Sequence, residues 1–207
     1  MSITYHDIDK RIEGFIFELD NVLYPEKDYL FQVYYLFANF IEYTEQIDAK
    51  QMITFMTSVY EEQGKDAVFN AVQKEFSLDL KYGQNLQHLM LNAKLPLKLL
   101  LYNDMLNLLQ DIVVDRKRIF IVTNGNPQMQ LSKIKQTEWN GLEQYLTCYF
   151  ANEFAPKPEP DAIHALLHDH HLQRRQLMMI GREPIDERCA EASGIDFLHI
   201  SKLVSGQ

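Results

Sequence analysis

Short apolar runs recur along this chain, each ending in polar or glycine-containing turn residues: Gly14 to Phe17, Arg118 to Thr123, Tyr149 to Ala151, Leu177 to Ile180 and Phe197 to Ile200. Helical patterns separate the later ones, over Leu131 to Thr137, Asp161 to His168 and Ile185 to Ser193. Consecutive apolar residues over so few positions suit strands buried on both faces. Strand and helix in alternation lead to right-handed βαβ units and a parallel sheet with helices on both faces.

The stretch from Pro25 to Pro96 breaks this alternation and contains no convincing strand. Tyr29, Leu30, Val33, Tyr34, Phe37, Phe40 and Ile41 recur at helical spacing. Further helical stretches run from Ala49 to Glu62, Asp66 to Phe76 and Leu86 to Ala93, punctuated by Gly64 and Tyr82-Gly83 and stopped before Pro96. The core resumes with an expected helix from Leu97 to Leu109. The fold class is therefore α/β: a Rossmann-like parallel sheet core of residues 1–24 and 97–207, with an all-helical unit of residues 25–96 inserted after the first strand. With 207 residues and 46% hydrophobic content, the chain is long enough for a full core and a smaller subdomain.

The net charge of -9 argues against a nucleic-acid partner, which needs clustered Lys and Arg. The densest basic cluster, Arg116-Lys117-Arg118, reads as a solvated turn. Cys148 and Cys189 are isolated, as reduced thiols are. The polar start of the chain does not read as a secretory leader, and no apolar stretch has the length to span a bilayer. A cytoplasmic protein with no membrane partner is expected.

Four segments fall at the carboxyl ends of expected strands, where open α/β sheets bind ligands. Glu18 and Asp20 follow the first, spaced i, i+2. Thr123-Asn124-Gly125 follows the second, a hydroxyl and an amide beside a glycine, and makes a small anion cradle. Lys157 follows the third, between Pro156 and Pro158, which hold it in a rigid extended loop. Gly181-Arg182-Glu183-Pro184-Ile185-Asp186 follows the fourth and opens a helix, where an acid is also favoured by the helix N-terminus. Carboxylates, a hydroxyl and a lysine at one sheet edge suit phosphoryl transfer: a carboxylate attacks, its neighbour shuttles a proton, and the donors offset phosphate charge. His168, His170 and His171 cluster as well, but no Cys or second cluster at ligand spacing accompanies them, so they read as a solvated face.

In their order and spacing these segments resemble the haloacid dehalogenase-like hydrolase superfamily, mostly phosphatases, over Gly14 to about Ile200. The D-x-D-x-[TV] motif is matched by Glu18-Leu19-Asp20-Asn21-Val22, the Ser/Thr motif by Thr123, the lysine by Lys157 within Lys-Pro-Glu-Pro-Asp, and G-D-x-x-x-D by Gly181 to Asp186. The inserted helical unit is similar to the family's cap, which closes over small substrates. The resemblance implies Glu18 as nucleophile, Asp20 as general acid/base, Thr123, Asn124, Gly125 and Lys157 as phosphate holders, Asp186 as a magnesium ligand, and a small phosphorylated metabolite or another anion as partner.

Two departures stand out. The family's nucleophile and magnesium ligand is an aspartate, and here it is Glu18. The first acid of its fourth motif also binds magnesium, and here it is Arg182, a repelling charge in place of an oxygen ligand. A ~1 Å displacement of a nucleophile costs roughly a hundredfold in rate. Together the departures lead to the expectation that the Arg182 guanidinium replaces the ion and pairs with Glu18, and that magnesium binding is weak or absent. Two functions follow: a phosphatase-type hydrolase with impaired or lost magnesium-dependent catalysis, or an inactive pseudoenzyme that binds a phosphorylated ligand or a protein partner. Metal-free catalysis aided by Arg182 is a third.

Overall fold

The first apolar run forms β1 (Gly14–Phe17), and all four of its residues are buried. In the computed structural model, which describes residues 3–203, β1 is the middle strand of a five-stranded sheet. The chain's other strands are β2 (Leu99–Leu100), β3 (Arg118–Thr123), β4 (Thr137–Glu138), β5 (Leu146–Phe150), β6 (Leu177–Gly181) and β7 (Asp196–His199), of which β2 and β4 pair with each other in a separate two-stranded sheet. The sheet order is β5-β3-β1-β6-β7, every pairing is parallel, and Phe17 lies in register with Ile121 and Ile180. β1 is thus where the strand order reverses: the chain steps outward through β3 and β5, then returns to the other side for β6 and β7. The crevice beyond the carboxyl ends of the strands at such a point is where doubly wound sheets hold ligands.

Period-two alternation splits the strand side chains between two covered faces. Ile16, Phe120, Val122 and Met179 pack with Ala162, Ile163 and Leu166 of one helix and with Cys189 and Ala190 of another. These are α7 (Asp161–Asp169) and α8 (Pro184–Ser193). Phe15, Phe17, Ile119 and Ile121 alternate with them and are equally buried. On that side α5 (Asn103–Val114) contacts β3 through a face that buries Met105, Leu108, Leu109 and Ile112, and Tyr5 lies 6.1 Å from Phe15, ring to ring. The fold is α/β and Rossmann-like.

The chain divides into two compact units, one of Met1–Pro25, Leu99–Gln130 and Thr137–Gln207, the other of Glu26–Lys98 and Leu131–Gln136. The second unit is helical: α1 (Glu26–Glu45), α2 (Ala49–Gln63), α3 (Val68–Phe76), α4 (Tyr82–Asn92) and the end of α6 (Pro127–Gln136). The stripe expected on α1 is buried at Tyr29, Leu30, Val33, Tyr34, Phe37 and Ile41, with Phe40 half-buried, and α1 contacts α2 and α4. Asp48 caps α2 by accepting from the Gln51 N–H at 2.6 Å, and Gly64, at φ +83°, ends it. Among the described residues no helix is long and apolar enough to cross a membrane.

Three elements differ from expectation. The leucine-rich stretch Leu97 to Leu109 is not one helix. Leu99 and Leu100 pair with Thr137 and Glu138, the Tyr102 N–H donates to the Leu23 carbonyl at 2.9 Å, and the helix begins only at Asn103. Pairing across the sequence overrides the helix propensity of leucine here. Helix α4 begins at Tyr82 and not at Leu86, so Gly83 lies in its first turn, where a Cβ would fall 2.9 Å from the Phe69 ring. β5 starts three residues earlier than its most apolar part suggests, and Ala151 already belongs to the following turn.

Candidate active site

Every site residue singled out in the sequence lies in the first unit, at or just beyond the ends of β1, β3 and β6, in the loop before α7 or in the first turn of α8. Glu18 follows β1, and its N–H still donates to the Ile180 carbonyl of β6 at 3.2 Å, so the strand fixes its backbone. Its Oε1 accepts from the Leu19 N–H at 2.8 Å and from the Thr123 hydroxyl at 2.5 Å, and its Oε2 accepts from Lys157. Lys157 is wholly buried, and its Nζ also donates to Asp186 Oδ1 at 2.5 Å. Asp186 turns its other oxygen to the N–H groups of Arg182 and Glu183, each at 3.1 Å, and so caps the start of α8, where Pro184 is the first residue. It is a cap and an ion-pair partner at once.

The loop carrying Lys157 is fastened to the end of β3. Asn124 accepts from the Lys157 N–H at 2.8 Å and donates to the Lys157 carbonyl at 3.0 Å. The Gly125 N–H donates to Asn152 Oδ1 at 2.8 Å. Thr123, Asn124, Gly125 and Lys157, the residues expected to form an anion cradle, thus lie together, and their donors are bonded within the protein. Asp20 accepts from the Tyr24 hydroxyl at 2.7 Å and from Gln130 Nε2 at 3.0 Å. Gln130 and Asn152 had no part in the sequence reading. A legible signal existed for Gln130: Asn126-Pro127 is a helix-start pair, and the Asn126 side chain accepts from the Gln128 and Met129 N–H groups at 2.9 and 3.3 Å. That cap sets Gln130 on the first turn of α6, next to the end of β3.

The expected Glu18–Arg182 pair is replaced by Glu18–Lys157. The Arg182 side chain is exposed and forms no ion pair among the described residues; only its backbone is engaged, through its N–H to Asp186 and its carbonyl from His199 at 2.9 Å. The reason is local. Asp186 binds the Arg182 N–H where the chain leaves Gly181, and a buried ammonium already lies between the two carboxylates. Two carboxylates around one ammonium leave one negative charge. Burial raises the Glu18 carboxyl above the usual range, Lys157 opposes this, and the Asp186 charge adds to it. Burial works to lower the Lys157 ammonium, but the Glu18 and Asp186 charges outweigh it and the net direction is up. A carboxyl raised on folding favours the native state most below its ordinary value of 4.5, and that stability is lost as pH rises through the folded value. Glu18→Gln is accordingly expected to flatten the fall in stability above pH 4.5, measured as urea midpoints between acid and neutral pH. An unchanged pH dependence would mean that Glu18 folds with an ordinary carboxyl.

The haloacid dehalogenase-like hydrolase family model matches residues 15–200. The chain belongs to this family. Among solved haloacid dehalogenase-like structures, the putative hydrolase YfnB from Bacillus subtilis, described as bound to magnesium, shares the fold at TM-score 0.59 and 16% identity, over 91% of this chain and 88% of that one. A hydrolase from Streptococcus pneumoniae matches at TM-score 0.53 and 17% identity, over 91% and 92%. A defluorinating L-2-haloacid dehalogenase matches at TM-score 0.54 and 15% identity, over 90% and 80%. At these identities the likeness is one of fold. No curated protein matches the chain significantly.

The family generally uses magnesium. The residues present do not fit that ion. Glu18 and Asp186 already share the Lys157 ammonium, the position after Gly181 carries an exposed guanidinium, and among the described residues no three acid, His or Cys groups gather at ligand distance. Magnesium needs near-octahedral oxygen donors, and this arrangement offers a cation at its centre.

Proposed function

We propose that this chain is a phosphatase-type family member, shaped for a small phosphorylated metabolite, in which magnesium-dependent hydrolysis is impaired or lost. The observation that supports this is the buried Lys157 ammonium bound to both Glu18 and Asp186. A nucleophile must be free to approach phosphorus in line, and Glu18 accepts from three donors on a side chain one methylene longer than aspartate. A magnesium ion would have to displace an ammonium that is already desolvated and paired, so weak or no binding is expected. Asp20, bonded to Tyr24 and Gln130, keeps the location of a proton shuttle.

The same engagement of the donors favours a second reading, an inactive protein that binds a phosphorylated ligand or a partner protein. One experiment addresses both. Purified protein is assayed on an aryl phosphate with Mg²⁺ and then with chelator, beside a 2-haloacid arm and a calorimetric titration with inorganic phosphate. No magnesium-stimulated turnover is expected. Magnesium-dependent phosphate release by the unaltered chain overturns the proposal; haloacid turnover alone moves the substrate class; phosphate binding without turnover favours the second reading.

A further inference from the structure

Gln130 belongs to none of the four motifs, yet it joins two of them. Its side chain is buried, and its Nε2 donates to Asp20 Oδ2 at 3.0 Å and to Thr123 Oγ1 at 2.7 Å. A hydroxyl has one proton to give. Because Gln130 approaches the Thr123 oxygen as a donor, that proton is left to point elsewhere, and of the two acceptors in reach Glu18 Oε1, at 2.5 Å, is far nearer than the Asn124 carbonyl at 3.4 Å. Tyr24 donates to the other oxygen of Asp20. The polarity of the network is thereby settled: Gln130 gives to Asp20 and Thr123, and Thr123 gives to Glu18.

The orientation of the amide follows from the same chemistry. Turned about, it would aim its carbonyl at an aspartate oxygen, and an ionised carboxylate only accepts. The cost of the observed orientation is visible at its other end, where Gln130 Oε1 is buried with no hydrogen-bond partner among the described residues. A residue that merely filled this space has no need of an arrangement that strands its own acceptor.

We propose that Gln130 is a positioning residue that sets proton direction in the site: by donating through Nε2 it keeps Asp20 an acceptor and turns the Thr123 hydroxyl toward Glu18. This concerns the site of the proposed lost hydrolysis, but it rests on hydrogen-bond polarity and not on that reading. Its test therefore reads a proton and not turnover.

The Thr123 hydroxyl proton and the ¹³C-labelled Glu18 carboxyl are read by NMR in the whole chain at one neutral pH. A coupling across the hydrogen bond between that proton and the Glu18 carboxyl carbon is expected in the unaltered chain. Gln130→Glu with Asp20→Asn keeps charge and an amide–carboxylate pair but reverses its polarity, so that Thr123 turns to the new acceptor and the coupling to Glu18 is lost. Gln130→Met removes the donor at similar size and is expected to weaken the coupling, because the hydroxyl is then free to share its proton with the Asn124 carbonyl. Leu108→Ala, a core change in α5, is expected to lower stability and leave the coupling in place. If Gln130→Met does not fold, the charge-matched swap carries the test. An unchanged coupling in either folded variant overturns the proposal and makes Gln130 a packing residue.

Discussion

Lys157→Met is expected to destabilise the fold by about 3–5 kcal/mol at neutral pH, the usual cost of removing one partner from a buried ion pair. Methionine fills the space of the lysine stem, so the loss is electrostatic. Glu18 and Asp186 remain, buried and facing one another, with no cation between them. The pH dependence gives the direction. With Lys157 present, its stabilising effect holds below the ordinary lysine value of 10.5 and is lost as pH rises through the raised folded value. In the variant the two carboxylates favour protons more strongly than before, so the penalty is largest at neutral pH and shrinks as acid neutralises them. The Lys157→Met deficit in urea unfolding should therefore narrow between pH 7 and pH 4. Adding Glu18→Gln and Asp186→Asn to Lys157→Met should recover most of the loss, because an uncharged set avoids the desolvation that the ions require. A deficit below about 1 kcal/mol, constant with pH, would show that the ammonium does not hold these acids in solution.

The site was legible in sequence where chemistry and chain direction coincide. Gly14 to Phe17 is apolar at every position, and a strand so composed is buried on both faces; the two acids after it must then lie at the sheet's carboxyl edge. Asp186 was legible twice, as a motif acid and as a helix-start acid, and it performs the second role through the Arg182 and Glu183 N–H groups. What failed was the choice of cation. Arg182 is close to Asp186 along the chain, but its side-chain direction is set by where the chain leaves Gly181, and that sends it outward. Lys157 reaches the acids only because Asn124 fastens its loop to β3 from both sides, a contact across 33 residues that no local pattern announces. Gln130 was missed for a related reason. Its helix start is written in Asn126-Pro127, but a glutamine carries no chemistry of its own, and its effect comes from which way its amide faces.

Gly181→Ala should disrupt the same site through backbone space alone. A Cβ at this position would lie 2.5 Å from Asp186 Cβ and 2.8 Å from Asp186 Oδ2, closer than nonbonded atoms approach. Neither side yields cheaply. Gly181 ends β6 in register with His199 of β7, and Asp186 is bound by two backbone N–H groups and by Lys157. Overpacking of this kind costs about 1–3 kcal/mol, and the forced shift of Asp186 also loosens the buried pair, so a loss near the upper end, ~3 kcal/mol, is expected from denaturant midpoints. The mode of failure is specific. The amide resonances of Arg182 and Glu183, which report their bonds to Asp186 Oδ2, should move first and furthest, while those of β1 and β3 hold. An unaltered midpoint with unmoved amides would mean that β6 and α8 meet with room to spare, and the requirement for glycine before this helix would then have to come from something other than the approach of Asp186.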